Sequence, residues 1–301
     1  MDSSVSCALC GNRASRLYTG CRDFEYFMPA PYDFHRCDAC GLVFLHPLPT
    51  REELPTLYPS NYHNFDPPSN PVSRLLLDRY YRHQTATCVR NMPRDGAFLE
   101  IGCAAGDILE RMQRAGYDDV QGIELSLEAC QQAWQRGLKV FHGTLEEFET
   151  DQRFDLIFMS HVIEHVLDPI ATAAKIATLL RPGGVLYLET PNVRSLDARL
   201  WGPNWGLLHY PRHLYLFDRA TITRLLEGAG LRVEGLSSQV NSCGWALSAQ
   251  AALRRRRIDR SRRPRSFYYP FLLLLFLPMN AVDLGLGGTA FMAAVARKPA
   301  P

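Results

Sequence analysis

Four cysteines near the start of the chain have the spacing of a metal site. Two residues separate Cys7 from Cys10 and Cys37 from Cys40, and a glycine follows each pair. A Cys-x-x-Cys turn can direct both thiolates at one ion, and the glycine permits a tight backbone turn. Two such turns complete a closed tetrahedral site, which leaves no coordination position for catalysis. The spacing predicts a structural zinc ribbon over residues 1–50, with four unrelated free thiols as the alternative.

A glycine turn between a strand and a helix is the second feature with chemical meaning. Residues 98–107 read Phe-Leu-Glu-Ile-Gly-Cys-Ala-Ala-Gly-Asp, an apolar run that contains an acid and turns through Gly102 and Gly106. Such a turn brings bare backbone and a helix N-terminus against a ligand. A second predicted strand, 120–124, ends in Glu124, where a carboxylate can accept hydrogen bonds from ribose hydroxyls. This arrangement predicts a βαβ nucleotide-binding unit.

The glycine spacing bears on which nucleotide binds. Dinucleotide folds use G-x-G-x-x-G before a pyrophosphate, whereas three residues separate the glycines here and no basic residue lies near the turn. The loop therefore fits an uncharged or cationic cofactor better. The motif Glu100-x-Gly102-x-Ala104-x-Gly106 resembles the first motif of the class I S-adenosylmethionine-dependent methyltransferases. The resemblance extends over about residues 95–235 and includes the loop 160–166 and the Leu-Arg-Pro-Gly-Gly turn before a later strand.

The resemblance implies an α/β fold: a Rossmann-like, seven-stranded, doubly wound sheet whose last strand is antiparallel, preceded by the small zinc ribbon. It also implies S-adenosylmethionine as the cofactor, beside the structural zinc. The residues that would contact this cofactor are Glu100, Gly102, Cys103, Ala104, Gly106, Glu124, Leu125, Thr144, Leu145, Ser160 and His161.

The pattern of apolar residues and helix caps places the elements that position these side chains. Predicted strands cover the run before Gly102 and residues 120–124, 138–141, 154–159, 185–192, 231–236 and 289–297. Predicted helices begin after Gly106 and cover 126–136, 170–180 and 218–228, and one over 75–91 is expected at the sheet edge. The expected domains are the ribbon, a linker and helical leader over 51–92, and a methyltransferase domain over 93–301.

The leader carries its own resemblance. The run from Cys37 to Thr50, followed by Tyr58-Pro59-x-x-Tyr62, is similar to the zinc-binding leader of some bacterial methyltransferases of sugar, surface-glycan and natural-product pathways. In that resemblance the leader covers the substrate side of the catalytic domain, and the acceptor is a small molecule or a glycan precursor. Tyr62 and Phe65 either reach the cofactor pocket or only pack the linker. Cys21 and His35 are expected as a core thiol and a surface imidazole.

Methyl transfer from a sulfonium is an in-line displacement, so the protein must align donor and nucleophile and sometimes remove a proton. A carbon or hydroxyl acceptor usually needs that base, and the candidates are His213, His165 and His161. Each has a plainer interpretation, because His165 can cap a helix or pack among its apolar neighbours. Few other ligand residues surround His161 and His165 in the sequence, so a metal-dependent transfer is not expected.

Composition limits the partners. The chain has 301 residues and a net charge of +2, and an odd count of nine cysteines without a signal peptide favours reduced thiols in the cytosol. Within the expected insertion 238–288, eight arginines lie between Arg254 and Arg265, before the apolar run 271–277. This run is too short to span a bilayer. Residues 254–279 either rest on the inner face of an anionic membrane or contain a buried helix after a solvated arginine loop.

Two other functions stay open. An RNA or protein methyltransferase is disfavoured because Pro191-Asn192 lacks the Asn/Asp-Pro-Pro-Tyr type of pocket that is used for planar nitrogens. A non-catalytic module could instead bind nucleic acid through the ribbon and the arginines. Nucleic acid is an unlikely partner of the ribbon, because its few arginines are balanced by acids where a phosphate-binding face would be basic.

Overall fold

We describe the fold from a computed structural model, which covers residues 5–28, 30–58, 71–256, 267–286 and 288–300. The strands are β1 (Val5–Ser6), β2 (Arg13–Tyr18), β3 (Asp33–Cys37), β4 (Val43–His46), β5 (Phe98–Ile101), β6 (Val120–Glu124), β7 (Lys139–His142), β8 (Phe154–Ser160), β9 (Leu180–Pro191), β10 (Tyr215–Leu216), β11 (Arg232–Gln239) and β12 (Phe291–Arg297). The helices are α1 (Pro71–Arg90), α2 (Asp107–Arg114), α3 (Leu127–Gln135), α4 (Pro169–Leu179), α5 (Leu196–Trp201), α6 (Arg219–Gly228), α7 (Cys243–Arg255), α8 (Tyr269–Leu275) and α9 (Met279–Gly285).

The larger sheet has seven strands in the order β11-β12-β9-β8-β5-β6-β7. Strands β5 to β9 pair in parallel, and β12 is antiparallel to both of its neighbours, β9 and β11. The strand order reverses beside β5, since β6 lies on one side of it and β8 on the other. Ligands of such open sheets bind at this point, outside the carboxyl ends of the strands. The predicted fold class is confirmed.

Side chains of the central strands alternate between two cores, one on each face of this sheet. The face that carries α1 to α3 buries Phe98, Leu156, Phe158, Val185 and Tyr187. The face that carries α4 and α6 buries Leu99, Ile157, Met159, Leu186 and Leu188. Because both faces are covered, these strands are nearly continuous apolar runs, which is why their positions could be predicted.

Helix α1 differs from its prediction. It was expected at the sheet edge, but Cys88 packs in the core of one sheet face, and Tyr80 and Gln84 hydrogen-bond Glu189 of β9, an inner strand. Buried polar side chains need partners, and Tyr80 and Gln84 find theirs at Glu189, above the sheet face. The leader therefore contributes side chains to the ends of the central strands.

Other element bounds agree with prediction to within a few residues. Ser126 and Asp218 cap α3 and α6 through their side chains, as their positions predicted. Strand β9 begins at Leu180, five residues earlier than expected, and includes Gly183 at a φ of +80°. The amide of Gly183 donates to the carbonyl of Lys298, so the expected turn pairs with the end of the chain.

The smaller sheet joins the ribbon to the methyltransferase domain. Its order is β1-β2-β3-β4-β10, all antiparallel, so its last strand comes from residues 215–216. The amide of Leu45 also donates to the carbonyl of Leu214, with 2.8 Å between nitrogen and oxygen. The ribbon sheet thus extends across the domain boundary that the sequence suggests.

The segment from 238 to 288 contains three helices in its described part. Trp245 and Ala246 of α7 are buried, and Tyr269 and Leu273 of α8 pack against this helix. The opposite side of α8 is exposed, with 70% of Phe271 accessible to solvent. Among the described helices, none is both long enough and apolar enough to cross a bilayer.

Candidate functional site

The four paired cysteines converge as predicted. Their sulfur atoms all lie within 4.8 Å of one another, with 3.7 Å between Cys7 and Cys40 and 3.4 Å between Cys10 and Cys37. Four sulfurs bound tetrahedrally at the usual Zn–S distance are about 3.8 Å apart, so this set fits a structural zinc ion. The glycine after each pair has a positive φ and donates its amide to the carbonyl of the first cysteine, which closes each turn.

Two neighbouring residues of the ribbon lie outside this set. Cys21 is partly buried, which agrees with a packing role. His35 was expected at the surface, but only 5% of it is exposed, and its ring stacks on Phe44 and lies edge-on to His46. The surface prediction for His35 is wrong because both faces of the small sheet are covered at this point, where the neighbouring residues Phe34 and His35 are both buried.

The cofactor turn has the strained backbone that its glycines predicted. Gly102, Ala104 and Gly106 have φ values of +76°, +48° and +86°. A Cβ atom on Gly102 would lie 2.4 Å from Cγ2 of Val162, which belongs to the loop after β8. The turn and this loop are therefore packed closely, and the side chain of Cys103 between the two glycines is buried.

Two carboxylates flank the turn, and their surroundings differ. Glu124 accepts from the backbone amides of Ala104 and Ser126, each at 2.8 Å, and these bonds hold the turn against the end of β6. Glu100 is 6% exposed, and its Oε2 has no hydrogen-bond partner among the described residues. Burial, with the charges of Asp107 and Glu124 nearby, raises the pKa of Glu100 well above its usual range. A buried acid with one unpartnered oxygen beside a neutral turn fits the cationic donor S-adenosylmethionine.

Three further residues that are expected to contact the cofactor, Leu125, Thr144 and Leu145, follow the ends of β6 and β7. Leu145 is buried, whereas Leu125, directly after Glu124, is 62% exposed at the end of β6. The backbone amide of Thr144 donates to Glu147, and the buried hydroxyl of Thr144 has no partner within the described part of the chain.

A buried carboxylate that the sequence analysis missed lies behind Ser160. Glu189 of β9 is fully buried and accepts at Oε2 from Tyr80 at 2.5 Å, Gln84 at 2.6 Å and Ser160 at 3.0 Å. Tyr187 and Gln239 donate to its other oxygen. Two signals in the sequence could have pointed to this site. One is an acid in the otherwise apolar strand β9, and the other is the set of polar residues on one side of α1. This network joins α1, β8, β9 and β11 at the carboxyl edge of the sheet.

His161 lies at the accessible edge of this network. Its φ is +56°, and its side chain is 34% exposed. Nδ1 lies 3.3 Å from Glu164 Oε1, and Nε2 lies 3.3 Å from the hydroxyl of Tyr80. Although burial opposes the charged form, the hydrogen bond and charge of Glu164 raise the pKa of His161 above its ordinary value.

His165 and His213 are brought together behind His161. Their ring centroids are 4.6 Å apart, and His209 lies 5.0 Å from His213. Burial, with these neighbouring imidazoles, lowers the pKa of His213 well below its usual value and that of His165 to about 4, the latter despite the opposing charge of Glu164. Both are therefore neutral at physiological pH. The three predicted catalytic histidines thus form one group with Glu164, which the sequence analysis did not single out.

A buried ion pair fixes the ribbon to this group. Arg212 donates to both carboxylate oxygens of Asp23, at 2.8 and 3.0 Å, and neither side chain is more than 1% exposed. His209 next to it pairs with Glu25 at 2.9 Å. The hydroxyl of Tyr58 lies 3.0 Å from His165. Tyr62 and Phe65 lie outside the described residues.

Comparisons with known proteins identify the domain that carries these residues. Residues 73–236, more than half of the chain, match the model of a family described as a methyltransferase domain. A ubiquinone biosynthesis O-methyltransferase of Aromatoleum aromaticum is 39% identical over 153 residues, which cover 46% of this chain and 64% of the relative. Its counterpart in Aeromonas salmonicida is 32% identical over 154 residues, with the same two coverages. The chain thus spans less than two thirds of the length of these relatives.

Solved structures show the same fold at low sequence identity. A chain of the complex between the Haloferax volcanii Trm112 methyltransferase activator and a methyltransferase has a TM-score of 0.51 and 16% identity, covering 74% of this chain and 92% of its own length. The StiE O-MT structure has a TM-score of 0.51 and 16% identity, with coverages of 80% and 82%. On the match of residues 73–236, the chain belongs to the methyltransferase domain family.

Proposed function

We propose that this protein transfers the methyl group of S-adenosylmethionine to a hydroxyl oxygen of a small-molecule acceptor. The observation that carries the proposal is the neutral glycine turn beside buried Glu100, whose Oε2 has no partner among the described residues, in a domain whose relatives are named O-methyltransferases. In the transfer, the acceptor oxygen forms a bond to the methyl carbon while the bond from carbon to sulfur breaks. The hydroxyl proton leaves to a base.

The turn and the neighbouring strand ends would each contact a different part of the cofactor. Glu100 would face the cationic part of the donor, Glu124 the ribose hydroxyls, and Thr144 with Leu145 the adenine. The turn from Gly102 to Gly106 supplies close backbone, and Ser160 lies at the reacting edge with His161. The structural zinc ion of the four cysteines would hold the ribbon, and it takes no part in the transfer.

Of the three histidines, His161 is the one we infer to accept the proton. Its side chain is a third exposed, whereas His213 is 6% exposed and donates its Nδ1 proton to the carbonyl of Leu207 at 2.8 Å. His213 and His165 are then positioning residues behind it. A His161→Gln variant should lower turnover by a much larger factor than it lowers the affinity for S-adenosylmethionine.

Gly102→Arg tests the cofactor site directly. Both the left-handed φ and the closeness of Val162 oppose any side chain there, so calorimetric titration should show binding of S-adenosylmethionine lost, with the zinc content unchanged. Gly116→Ala is the matched control, because its φ is +94° but no atom lies within 4 Å of the added carbon. Retained binding in Gly102→Arg would remove the proposed placement.

The acceptor class is tested by formation of S-adenosylhomocysteine with a panel of compounds. Phenols with adjacent hydroxyls are the first class, because the curated relatives are named for ubiquinone biosynthesis. Sugar nucleotides and glycan precursors are the second class, supported by the resemblance of the zinc-binding leader. Binding of the cofactor without turnover on either class, together with salt-dependent binding to a polynucleotide, would favour the nucleic-acid module instead.

We further propose that the protein works in the cytosol and contacts the inner face of the membrane. The support is the exposed apolar side of α8, where Phe271 and Leu275 are 70% and 66% accessible, after the arginine-rich stretch of the sequence. Such a surface suits anionic lipid. Co-sedimentation with vesicles that contain phosphatidylglycerol, but not with phosphatidylcholine vesicles, is the expected result.

A further inference from the structure

A buried carboxylate lies at the reaction edge, which is the carboxyl edge of the large sheet around His161. Glu189 of β9 is fully buried, and its two oxygens accept hydrogen bonds from five neutral side chains. These donors are the hydroxyls of Tyr80, Ser160 and Tyr187 and the side-chain amides of Gln84 and Gln239. None of the ion pairs in the described part of the chain includes Glu189.

Two other buried acids near this edge have a basic partner instead. Asp23 lies 2.8 Å from the guanidinium of Arg212, and Glu164 lies 3.3 Å from the imidazole of His161. Neutral donors stabilise a carboxylate through hydrogen bonds, but they do not cancel its charge. A negative charge held in this way acts through space on any cation that binds nearby.

The hydroxyl donors of this network keep their protons. Burial, with the charge of Glu189 nearby, raises the pKa of Tyr80 and that of Tyr187 well above the ordinary value of a tyrosine. Both hydroxyls therefore donate to the carboxylate at physiological pH. Since hydrogen bonds from neutral donors favour the charged form of a carboxylate, the network is built to hold a negative charge.

The network meets the solvent on the side of the cofactor turn. Its other donors are at most 4% exposed, whereas Tyr80 and Ser160 are partly accessible. Ser160 ends β8 and pairs with Glu189 in the sheet, and β8 lies between β9 and β5, which leads into the turn at Gly102. Glu189 thus lies two strand spacings, roughly 10 Å, from this turn. A ligand that extends from the turn over the end of β8 approaches the charge of Glu189.

We propose that Glu189 supplies the counter-charge for the sulfonium of bound S-adenosylmethionine. The inference rests on the proposed function, in which Ser160 and His161 lie at the reacting end of the donor. A sulfonium has no N–H or O–H group to donate, so a fixed charge at short range attracts it without a hydrogen bond. Glu100 of β5 would then face the α-ammonium group, which is the second cation of the donor.

This counter-charge would distinguish the donor from its product. When the acceptor oxygen bonds to the methyl carbon, the bond from carbon to sulfur breaks with its electron pair kept by sulfur. The sulfonium thereby becomes a neutral thioether, while the ammonium group, the ribose and the adenine are unchanged. S-adenosylhomocysteine therefore lacks the one group that Glu189 attracts, and its replacement by a new donor molecule is favoured.

His161 is the other cation that Glu189 could serve. Burial lowers the pKa of His161, but Glu164 and, to a smaller extent, the charge of Glu189 raise it, and the net shift is upward. Nε2 of His161 lies 3.3 Å from the hydroxyl of Tyr80, which donates to Glu189. If Glu189 acted on His161 alone, its removal would leave the relative affinities for donor and product unchanged.

Calorimetric titration with three ligands tests the counter-charge without any acceptor. S-adenosylmethionine carries the sulfonium, sinefungin carries an ammonium group at the same position, and S-adenosylhomocysteine is neutral there. Glu189→Gln should lower the preference for either cationic ligand over S-adenosylhomocysteine by about 5- to 50-fold, the effect expected of one charge across a partly buried site.

Gln84→Lys and Gln84→Met form a matched pair at one position. Nε2 of Gln84 lies 2.6 Å from Glu189, so a lysine there places a positive charge against the carboxylate. This variant should lower the preference for the cationic ligands by a similar factor. Methionine removes the same hydrogen bond without adding a charge, so Gln84→Met should keep the preference of the natural protein.

If Glu189→Gln does not fold, as judged by its zinc content and its melting curve, Gln84→Lys decides the question. An unchanged preference in the folded Glu189→Gln or Gln84→Lys protein would overturn the counter-charge and leave the proposed function standing. Equal loss of preference in Gln84→Met and Gln84→Lys would also overturn it, because the charge would not be the cause. A natural protein that binds none of the three ligands would overturn the proposed function and this inference with it.

Discussion

The ribbon and the reaction edge each gather functional side chains, but they do so in different ways. The four cysteines lie within 34 residues as two short turns, and each turn is closed by its own glycine. The group of Glu164, His165 and His213 combines a loop after β8 with a segment almost 50 residues later. A site built from local turns can be predicted from spacing alone, whereas a site assembled by the sheet needs the fold.

The two regions also depend on each other. The small sheet ends on β10, two residues after His213, and Asp23 of the ribbon holds Arg212, the residue before it. The segment that carries His213 is therefore positioned partly by a part of the chain that carries no cofactor residue. Experiments that separate the two regions show how strong this dependence is.

The largest expected effect comes from Cys37→Ser. Loss of one thiolate should reduce the zinc content to near zero, because a ribbon this small relies on its metal for folding. Since β4 pairs with β10, we expect the cofactor-dependent turnover to fall when the zinc is lost. Elemental analysis measures the zinc, and the formation of S-adenosylhomocysteine measures the turnover. Cys21→Ser should keep its zinc, and a Cys37 variant with full turnover would show that the regions are independent.

Asp23→Ala should have an intermediate effect. It leaves the fully buried Arg212 without its counter-charge, which typically costs about 3–5 kcal/mol in the free energy of unfolding. Zinc should remain bound, since no cysteine is touched, but turnover should fall as the segment around His213 loosens. Chemical denaturation measures the stability. A change below about 1 kcal/mol would mean that the ion pair does not couple the regions.

The smallest effect is expected for Glu100→Gln, which acts on the locally built cofactor turn. Burial raises the pKa of Glu100, so folding favours its protonated form. The contribution of this group to the free energy of unfolding is therefore lost as the pH rises through the pKa of the folded state. The variant should therefore melt about 2–4 °C higher at neutral pH without cofactor, and the difference should shrink toward pH 4. Its affinity for S-adenosylmethionine should fall about 10- to 100-fold.

Glu128→Gln, on an exposed position in the first turn of α3, is the control for that measurement. It should change neither the melting temperature nor the affinity by a comparable amount. A Glu100 variant that binds the cofactor as tightly as the natural protein would place the cationic group of the donor elsewhere.

Most of the fold could be predicted from the sequence. The strands are buried on both faces and read as apolar runs, and helix caps such as Ser126 and Asp218 mark the starts of helices. The cofactor turn could also be predicted, because the positive φ at Gly102 favours glycine and the glycine is visible in the sequence. Its assignment to S-adenosylmethionine came from the resemblance of several motifs taken together.

What the sequence did not predict involves contacts between distant segments. The roles of Glu189 and Glu164 depend on donors from α1 and β9, and periodicity gives no information on such pairs. His35 was misplaced because β3 is buried on both faces at Phe34 and His35, and so short a strand gives too little pattern to show this. The position of α1 was missed because its polar residues serve buried partners rather than solvent.

The pairing of β4 with β10 has a consequence for how such proteins diversify. A leader whose sheet is completed by the catalytic domain cannot be exchanged by recombination at a linker, because the new leader would meet a foreign edge strand and lose the partner of Asp23. Inheritance must therefore keep the ribbon together with residues 209–216. Chimeras that exchange the two as a unit should be soluble, and these boundaries are where shuffled libraries of such enzymes should be cut.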